Sequence, residues 1–193
     1  MGKIFYLMGK SASGKDSIYK RIKEEIPRLK EIVIYTTRPM REGEKNGKEY
    51  YFVNRMEFDN LKNSGRVIEY REYQTVHGPW IYFTADDGQF DGEEDVLAIG
   101  TLESYMKLKE YLGKERLVPI YIEVEDGLRL ERALQREREQ KEPKYKELCR
   151  RFLADAEDFS EERLLEAEIQ TRYENKNMEV CLHEILLGIR KEM

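Results

Sequence analysis

Gly9-Lys10-Ser11-Ala12-Ser13-Gly14-Lys15-Asp16-Ser17 is the stretch on which the reading of this chain turns. The apolar run Ile4-Phe5-Tyr6-Leu7-Met8 enters it, and an amphipathic segment from Ile18 to Ile26 leaves it. A strand, a glycine-bounded loop, a lysine and a helix in that order make an anion cradle. Backbone N–H groups of the loop and first helical turn point inward, and the helix dipole adds a favourable field. Gly9 and Gly14 permit backbone angles and close approach that a Cβ hinders, and Lys15 brings a point charge to the β/γ-phosphates of a nucleotide. The pattern G-x-x-x-x-G-K-[ST] holds up to its last place. There Asp16 stands instead of a hydroxyl residue, and Ser17 follows one position late.

Beyond the loop, Ile32-Val33-Ile34-Tyr35 reads as a short buried strand. A basic, glycine-punctuated loop from Thr36 to Gly47 follows, then a strand at Tyr50-Tyr51-Phe52-Val53. Asn54 is placed to cap a helix over 55–63, which Ser64-Gly65 stops. Val67-Ile68-Glu69-Tyr70 and Ile81-Tyr82-Phe83-Thr84 read as strands on either side of a His77-Gly78-Pro79 turn. Asp86 to Asp95 holds six carboxylates at spacings that do not make a calcium loop, so a solvated acidic loop is expected. Next come a buried strand, Val96-Leu97-Ala98-Ile99, and a Thr101-capped helix over 102–112. A strand over 118–124 and helices over about 126–139 and 144–158 follow, with a strand near 169–173 and a helix over about 178–190 closing the chain. Strands alternating with helices predict a mainly parallel sheet with right-handed crossovers. The block from about 36 to 84 breaks that rhythm and reads as a small mixed β insertion with its own ligand site.

Composition bounds the rest. At 193 residues, one domain with inserted sub-domains is expected. Charged residues make up 38% and no run approaches a membrane span. Met1-Gly2-Lys3 opens straight into a strand, so no signal peptide is expected, and Tyr6 argues against a myristoylation signal. Cys149 and Cys181 have no metal spacing and read as buried free thiols, so a cytoplasmic, reducing home is expected. A net charge of −5 argues against nucleic-acid binding.

Taken in order, the motifs resemble those of nucleoside monophosphate kinases of the guanylate kinase type. The phosphate loop comes first. Thr36-Thr37-Arg38, Arg41, Gly43-Glu44, Gly47 and Tyr50-x-Phe52-Val53 look like that family's acceptor signature, the most specific part of the likeness. Glu69 and Tyr82-x-Thr84 follow as they should, and Arg132, Arg136 and Arg138, then Arg150-Arg151, resemble its lid. The resemblance implies a P-loop α/β three-layer fold and a single domain over 1–193. Its core would be 1–35, 85–135 and 152–193, its acceptor-binding insertion 36–84 and its lid about 136–151. It implies ATP held by Gly9, Lys10, Ser11, Ala12, Ser13, Gly14, Lys15, Asp16, Ser17, Arg132 and Asn175. The acceptor, GMP or dGMP, would be held by Tyr35, Arg38, Arg41, Tyr50, Glu69, Tyr82 and Thr84. Lys15, Arg38, Arg41, Arg136, Arg138 and Arg151 would stabilise the phosphoryl in transit, with Mg²⁺ as cofactor and a monomer or homodimer as the working form. The chemistry agrees: arginine forks suit a phosphate dianion, and a carboxylate accepts from guanine N1–H and N2–H₂ but meets a lone pair at adenine N1. Arg136 and Arg138, two apart, do not share a helix face.

The chain departs from the family at four places. Asp16 replaces the Mg²⁺-ligating hydroxyl, Tyr35 stands where a serine is usual, and Phe83 replaces a glycine. Ala98-Ile99-Gly100 occupies the place of an Asp-x-Asp. A carboxylate lost at 98 and gained at 16 suggests that Asp16, with Ser17, has taken over the metal contact. Two alternatives stay open: a kinase for another nucleoside monophosphate, and a catalytically inactive protein-binding module.

Overall fold

The computed structural model describes residues 1–75 and 78–193. Every residue of Ile4–Met8 (β1) is buried, which a strand covered on both faces requires. It lies in the middle of a five-stranded parallel sheet. Val96–Gly100 (β7) and then Lys30–Glu31 (β2) lie to one side, and Leu117–Glu123 (β8) and then Arg172–Glu174 (β9) to the other. Alternation along β1 divides the core. Phe5 and Leu7 pack with Ile18 and Ile22 of Lys15–Glu25 (α1) and with Leu182 and Ile185 of Met178–Glu192 (α7). Tyr6 and Met8 pack on the other face with Ala98, Phe159 and residues of Leu102–Leu112 (α3).

The second sheet is small and mixed. Tyr51–Phe52 (β4), Tyr35–Thr36 (β3), Gly78–Ala85 (β6) and Val67–Thr75 (β5) lie side by side in that order. Arg55–Asn63 (α2), started by an Asn54–Glu57 capping box, packs Phe58 against Phe83. An irregularity between Val67 and Glu69 shifts the register of β5, so that Glu69 lies opposite Thr84.

Several expectations change. Ile32–Ile34 is not a strand but the passage from the first sheet to the second. At Val33 the backbone is satisfied by a side chain instead: Val33 N–H donates to Gln89 Oε1 at 2.8 Å, and Gln89 Nε2 donates to Val33 C=O at 3.1 Å. Of the expected His77-Gly78-Pro79 turn, His77 lies outside the described residues, while Gly78 and Pro79 begin β6. The last strand starts at Arg172 rather than near 169, because Glu168 turns with φ +60° and Ile169 drops into the core. A short helix, Glu161–Glu166 (α6), precedes it, capped by the Ser160 hydroxyl. Asp126–Arg138 (α4) and Tyr145–Asp158 (α5) form the expected helix pair. Cys181 is buried, but Cys149 is exposed.

Candidate active site

The loop after β1 has the geometry its residues predict, at a visible conformational cost. A Cβ on Gly9 would come within 2.7 Å of the Ile122 carbonyl, and Gly14 has φ +86° where α1 begins. Ala12 also takes a left-handed conformation, φ +63°, which costs an L-residue about 1–2 kcal/mol. Ala12→Gly is therefore expected to stabilise the protein by about 1 kcal/mol, seen as a rise in Tm of roughly 2–4 °C in a thermal melt. An unchanged Tm would mean that the loop does not carry this strain.

Asn175 does not face outward toward a base. It is 3% exposed, and its Nδ2 donates to Ser13 C=O at 2.8 Å, bracing the loop from behind. Lys15 Nζ stands 3.1 Å from Asp16 Oδ2, and the Asp16 side chain is 77% exposed. Lys10 Nζ lies 3.4 Å from Asp126 Oδ1, and Arg132 reaches the Lys176 carbonyl.

Sequence reasoning passed over the largest fully buried side chain, Arg129. Its Nε donates to Asp126 Oδ1 at 3.0 Å and its Nη1 to Asp155 Oδ2 at 3.2 Å, with the guanidinium 3.9 Å above the Phe152 ring centroid. The same Asp155 oxygen accepts the Ser11 N–H at 2.8 Å. One carboxylate of α5 thus ties the phosphate loop to a buried cation of α4. The Asp126–Arg129 spacing is a helical i,i+3 pair, so half of this network was readable.

The lid arginines divide as their spacing implied. Arg136 and Arg151 line one cleft with Arg129 and Ser11, and Arg151 Nη2 donates to Ser11 Oγ at 3.0 Å. Arg138 is exposed and does not line that cleft. Arg150 forks onto Glu147.

On the small sheet, residues paired in register share a face. Phe83 and Tyr35 lie on the α2 side, stacked 5.0 Å apart, and the Tyr35 hydroxyl donates to Asp87 at 2.6 Å. The Asp87 bond adds to burial in pushing that phenol above its ordinary pKa. Tyr35, expected at the acceptor site, therefore lies on the face opposite Glu69, Thr84 and Tyr82. Arg38, Tyr50 and Tyr82 do come together: the Arg38 guanidinium lies 5.0 Å from the Tyr50 ring centroid, and that ring meets Tyr82 edge-on at 5.6 Å. Arg38 is 4% exposed and held by both oxygens of Glu44. Glu44 also accepts the Arg41 N–H, while the Arg41 residue is exposed.

The Arg38 bonds, with that backbone N–H, hold the Glu44 carboxyl at a pKa of about 2. A depressed folded-state pKa means the pair contributes its full stability above the ordinary carboxyl value of 4.5 and loses it as pH falls toward 2. An NMR titration of the Glu44 carboxyl carbon should give a midpoint near 2. A midpoint near 4.5 would break the pairing.

Glu69 is 3% exposed. The Thr84 hydroxyl donates to its Oε1 at 2.7 Å and the Ser104 hydroxyl to its Oε2 at 3.1 Å, with Arg71 Nε 3.6 Å away. Gly100, at the end of β7, explains its own lack of a side chain. A Cβ there would lie 2.0 Å from the Tyr6 hydroxyl oxygen, so Tyr6 occupies that volume. Ala98 is buried in the core cluster with Met8 and Leu102.

Three comparisons with known proteins bear on this arrangement. The guanylate kinase family model matches residues 1–84. A guanylate kinase of Koribacter versatilis is 32% identical over 132 residues, 66% of this chain and 56% of that protein. One from Rhodopseudomonas palustris is 41% identical over 69 residues, 36% of this chain and 31% of its own length. The chain thus spans about a third to just over half of the curated relatives it matches. The solved guanylate kinase of Anaplasma phagocytophilum superposes with a TM-score of 0.64 at 26% identity, covering 99% of this chain and 86% of that one. The fold is the guanylate kinase fold, and the resemblance read from the motifs is found again in sequence and in structure.

Proposed function

We propose that this chain, whose fold is that of guanylate kinases, is an ATP-dependent nucleoside monophosphate kinase that phosphorylates GMP or dGMP. One observation carries the reading. A single cleft is lined by the phosphate loop (Gly9, Ser11, Lys15), the end of β7 (Gly100, Thr101), α5 (Arg150, Arg151, Asp155) and Tyr73 of the small sheet. The glycine-bounded loop, the helix pair and the edge of the small sheet all reach it, which supports in-line phosphoryl transfer between two nucleotides.

Loop N–H groups and Lys15 hold the donor phosphates. Residues 36–84 serve as the acceptor module, in which Arg38, Arg41, Tyr50 and Tyr82 take the acceptor phosphate. The incoming dianion competes with Glu44 for the Arg38 fork. Glu69 accepts from the base. Residues of about 136–151 act as the lid, and Arg136 and Arg151 close over the transferring group, where charge is spread over equatorial oxygens and water must be excluded. The acceptor phosphate is itself the nucleophile, so no side-chain base is required.

Among the described residues no cluster of three or more His, Cys, Asp or Glu side chains is arranged to hold a metal. Mg²⁺ takes one or two carboxylates and completes its shell with water and substrate phosphates. Asp16 offers the exposed hard-oxygen donor, with Ser17 beside it. A Mg²⁺ held there by Asp16 and Ser17 would supply charge neutralisation for the donor phosphates. A cytoplasmic location and a monomer or homodimer complete the proposal.

The test is ADP release from Mg·ATP in the presence of GMP, dGMP, AMP, CMP or UMP. Turnover with the guanine nucleotides is expected. A folded protein that turns over none of the five would overturn the reading in favour of a binding module.

A further inference from the structure

We infer that Arg71 is a specificity-determining residue of the acceptor pocket. It donates to a carbonyl or ring-nitrogen acceptor on the base, while Glu69 takes the base's donor edge. The pocket then selects 6-oxopurines as a class, hypoxanthine as well as guanine. This rests on the kinase reading above and goes beyond it.

Four observations converge. First, Arg71 Nε is buried without a hydrogen-bond partner, although Glu69 Oε2 lies 3.6 Å off. A buried guanidinium N–H left unmet carries a desolvation penalty, so an acceptor arriving there is favoured. Second, Arg71 lines one narrow cavity with Tyr6, Ile34, Glu69, Thr84 and Ile99, with apolar walls and a few polar groups, which has room for about one water and must widen to admit a base. Third, Arg71 lies on the Glu69 and Thr84 face of the small sheet, opposite Tyr82, and its Nη1 reaches Thr101 Oγ1 at 3.4 Å. The guanidinium is thus held between the two sheets.

Fourth, the cavity lining contains one carboxylate, Glu69. At the neighbouring Gly100 there is no room for a second, because the Tyr6 hydroxyl, which burial and Glu69 keep protonated well beyond neutral pH, takes the space of a side chain there. The pocket therefore pairs one acceptor-only group with one donor-only group. Guanine and hypoxanthine both present N1–H to Glu69 and O6 or N7 to an arginine donor. Adenine presents a lone pair at N1 and a donor at C6, wrong at both places. With no second carboxylate to require the 2-amino group, its loss in hypoxanthine leaves both of these contacts in place.

The experiment measures kcat/KM for GMP, IMP and AMP at saturating Mg·ATP, with calorimetric binding of GMP and IMP alone, for wild type, Arg71→Met and Arg71→Lys. Expected are IMP within about ten-fold of GMP and AMP far below both. Arg71→Met should raise the KM and Kd of GMP and IMP together by roughly ten- to a hundred-fold, leaving the KM for ATP unchanged. Arg71→Lys keeps the charge, lacks the Nε–H, and should show the same loss; it carries the test if Arg71→Met does not fold. The inference is overturned if IMP is rejected by more than a hundred-fold while GMP turns over. It is equally overturned if both variants keep wild-type acceptor affinity. Failure of the kinase reading itself looks different: no nucleotide of any base is phosphorylated by the wild type.

Discussion

Arg129→Met is expected to remove about 3–5 kcal/mol of stability, read from the urea midpoint of unfolding. Arg129 is 1% exposed and serves two carboxylates, Asp126 and Asp155. Methionine can fill much of the volume over Phe152, so loss of packing is the smaller part. The larger part is Asp155, whose side chain is 17% exposed and would retain only the Ser11 N–H as a close donor. Breaking a buried pair from one side leaves an uncompensated charge, which is why the cost exceeds that of a surface ion pair. For a protein stable by a typical 5–15 kcal/mol, that is a large fraction. Arg129→Met with Asp155→Asn should recover part of the loss, because the stranded charge is then gone. If Arg129→Met costs less than about 1 kcal/mol, the network is not the clamp described. The phosphate loop should also loosen, since the Ser11 anchor weakens with it.

Lys15→Met has the opposite signature: little change in stability and a loss of turnover on the order of 10²–10³ in kcat, comparable to removing one preorganised donor from a developing charge. Lys15 opens α1 and is only partly buried, and its Nζ has one close partner, the exposed Asp16. Few folded-state contacts depend on it. It instead lines the cleft shared with Ser11 and Arg151, where the proposed reaction would place the transferring phosphoryl. Denaturation and kinetics on the same variant separate the two effects. A Lys15→Met protein that keeps more than a tenth of wild-type kcat would remove Lys15 from the catalytic set.

These two side chains also mark how far the residue order alone could be read. Lys15 was legible because everything it needs is local: a buried strand before it, two glycines that free the backbone, and a helix after it. The same locality made the Asn54 cap and the β1 run readable. Arg129 was not legible as a clamp, since beyond Asp126 on its own helix its partners lie on a second helix and a loop that only folding brings within 4 Å.

The acceptor side divides in the same way. Glu69, Thr84, Arg38, Tyr50 and Tyr82 were nominated through the family resemblance, and the structure pairs Glu69 with Thr84 and sets Arg38 against Tyr50 beside Tyr82. Tyr35 was nominated too, yet strand pairing turned it to the α2 side. Which face a strand residue takes depends on register, and a register is a relation between strands far apart in the chain. Asn175 became a buried brace for the same reason: its place is defined by a loop at the other end of the sequence.

By itself, then, the amino-acid order determined the alternation of strands and helices, the anion cradle after β1 and the types of residue suited to an acceptor. Those depend on periodicity, backbone freedom and charge within a few neighbouring residues. Tertiary structure alone decided that Arg129 and Asp155 lock the phosphate loop to the helix pair, and that Tyr35 faces away. It also decided that the Tyr6 hydroxyl fills the space beside Gly100 and that the Arg71 Nε–H lies beside Glu69 without a hydrogen bond. Each of these is set by distances between elements remote in sequence, and burial then makes an unmet charge or a missing Cβ consequential.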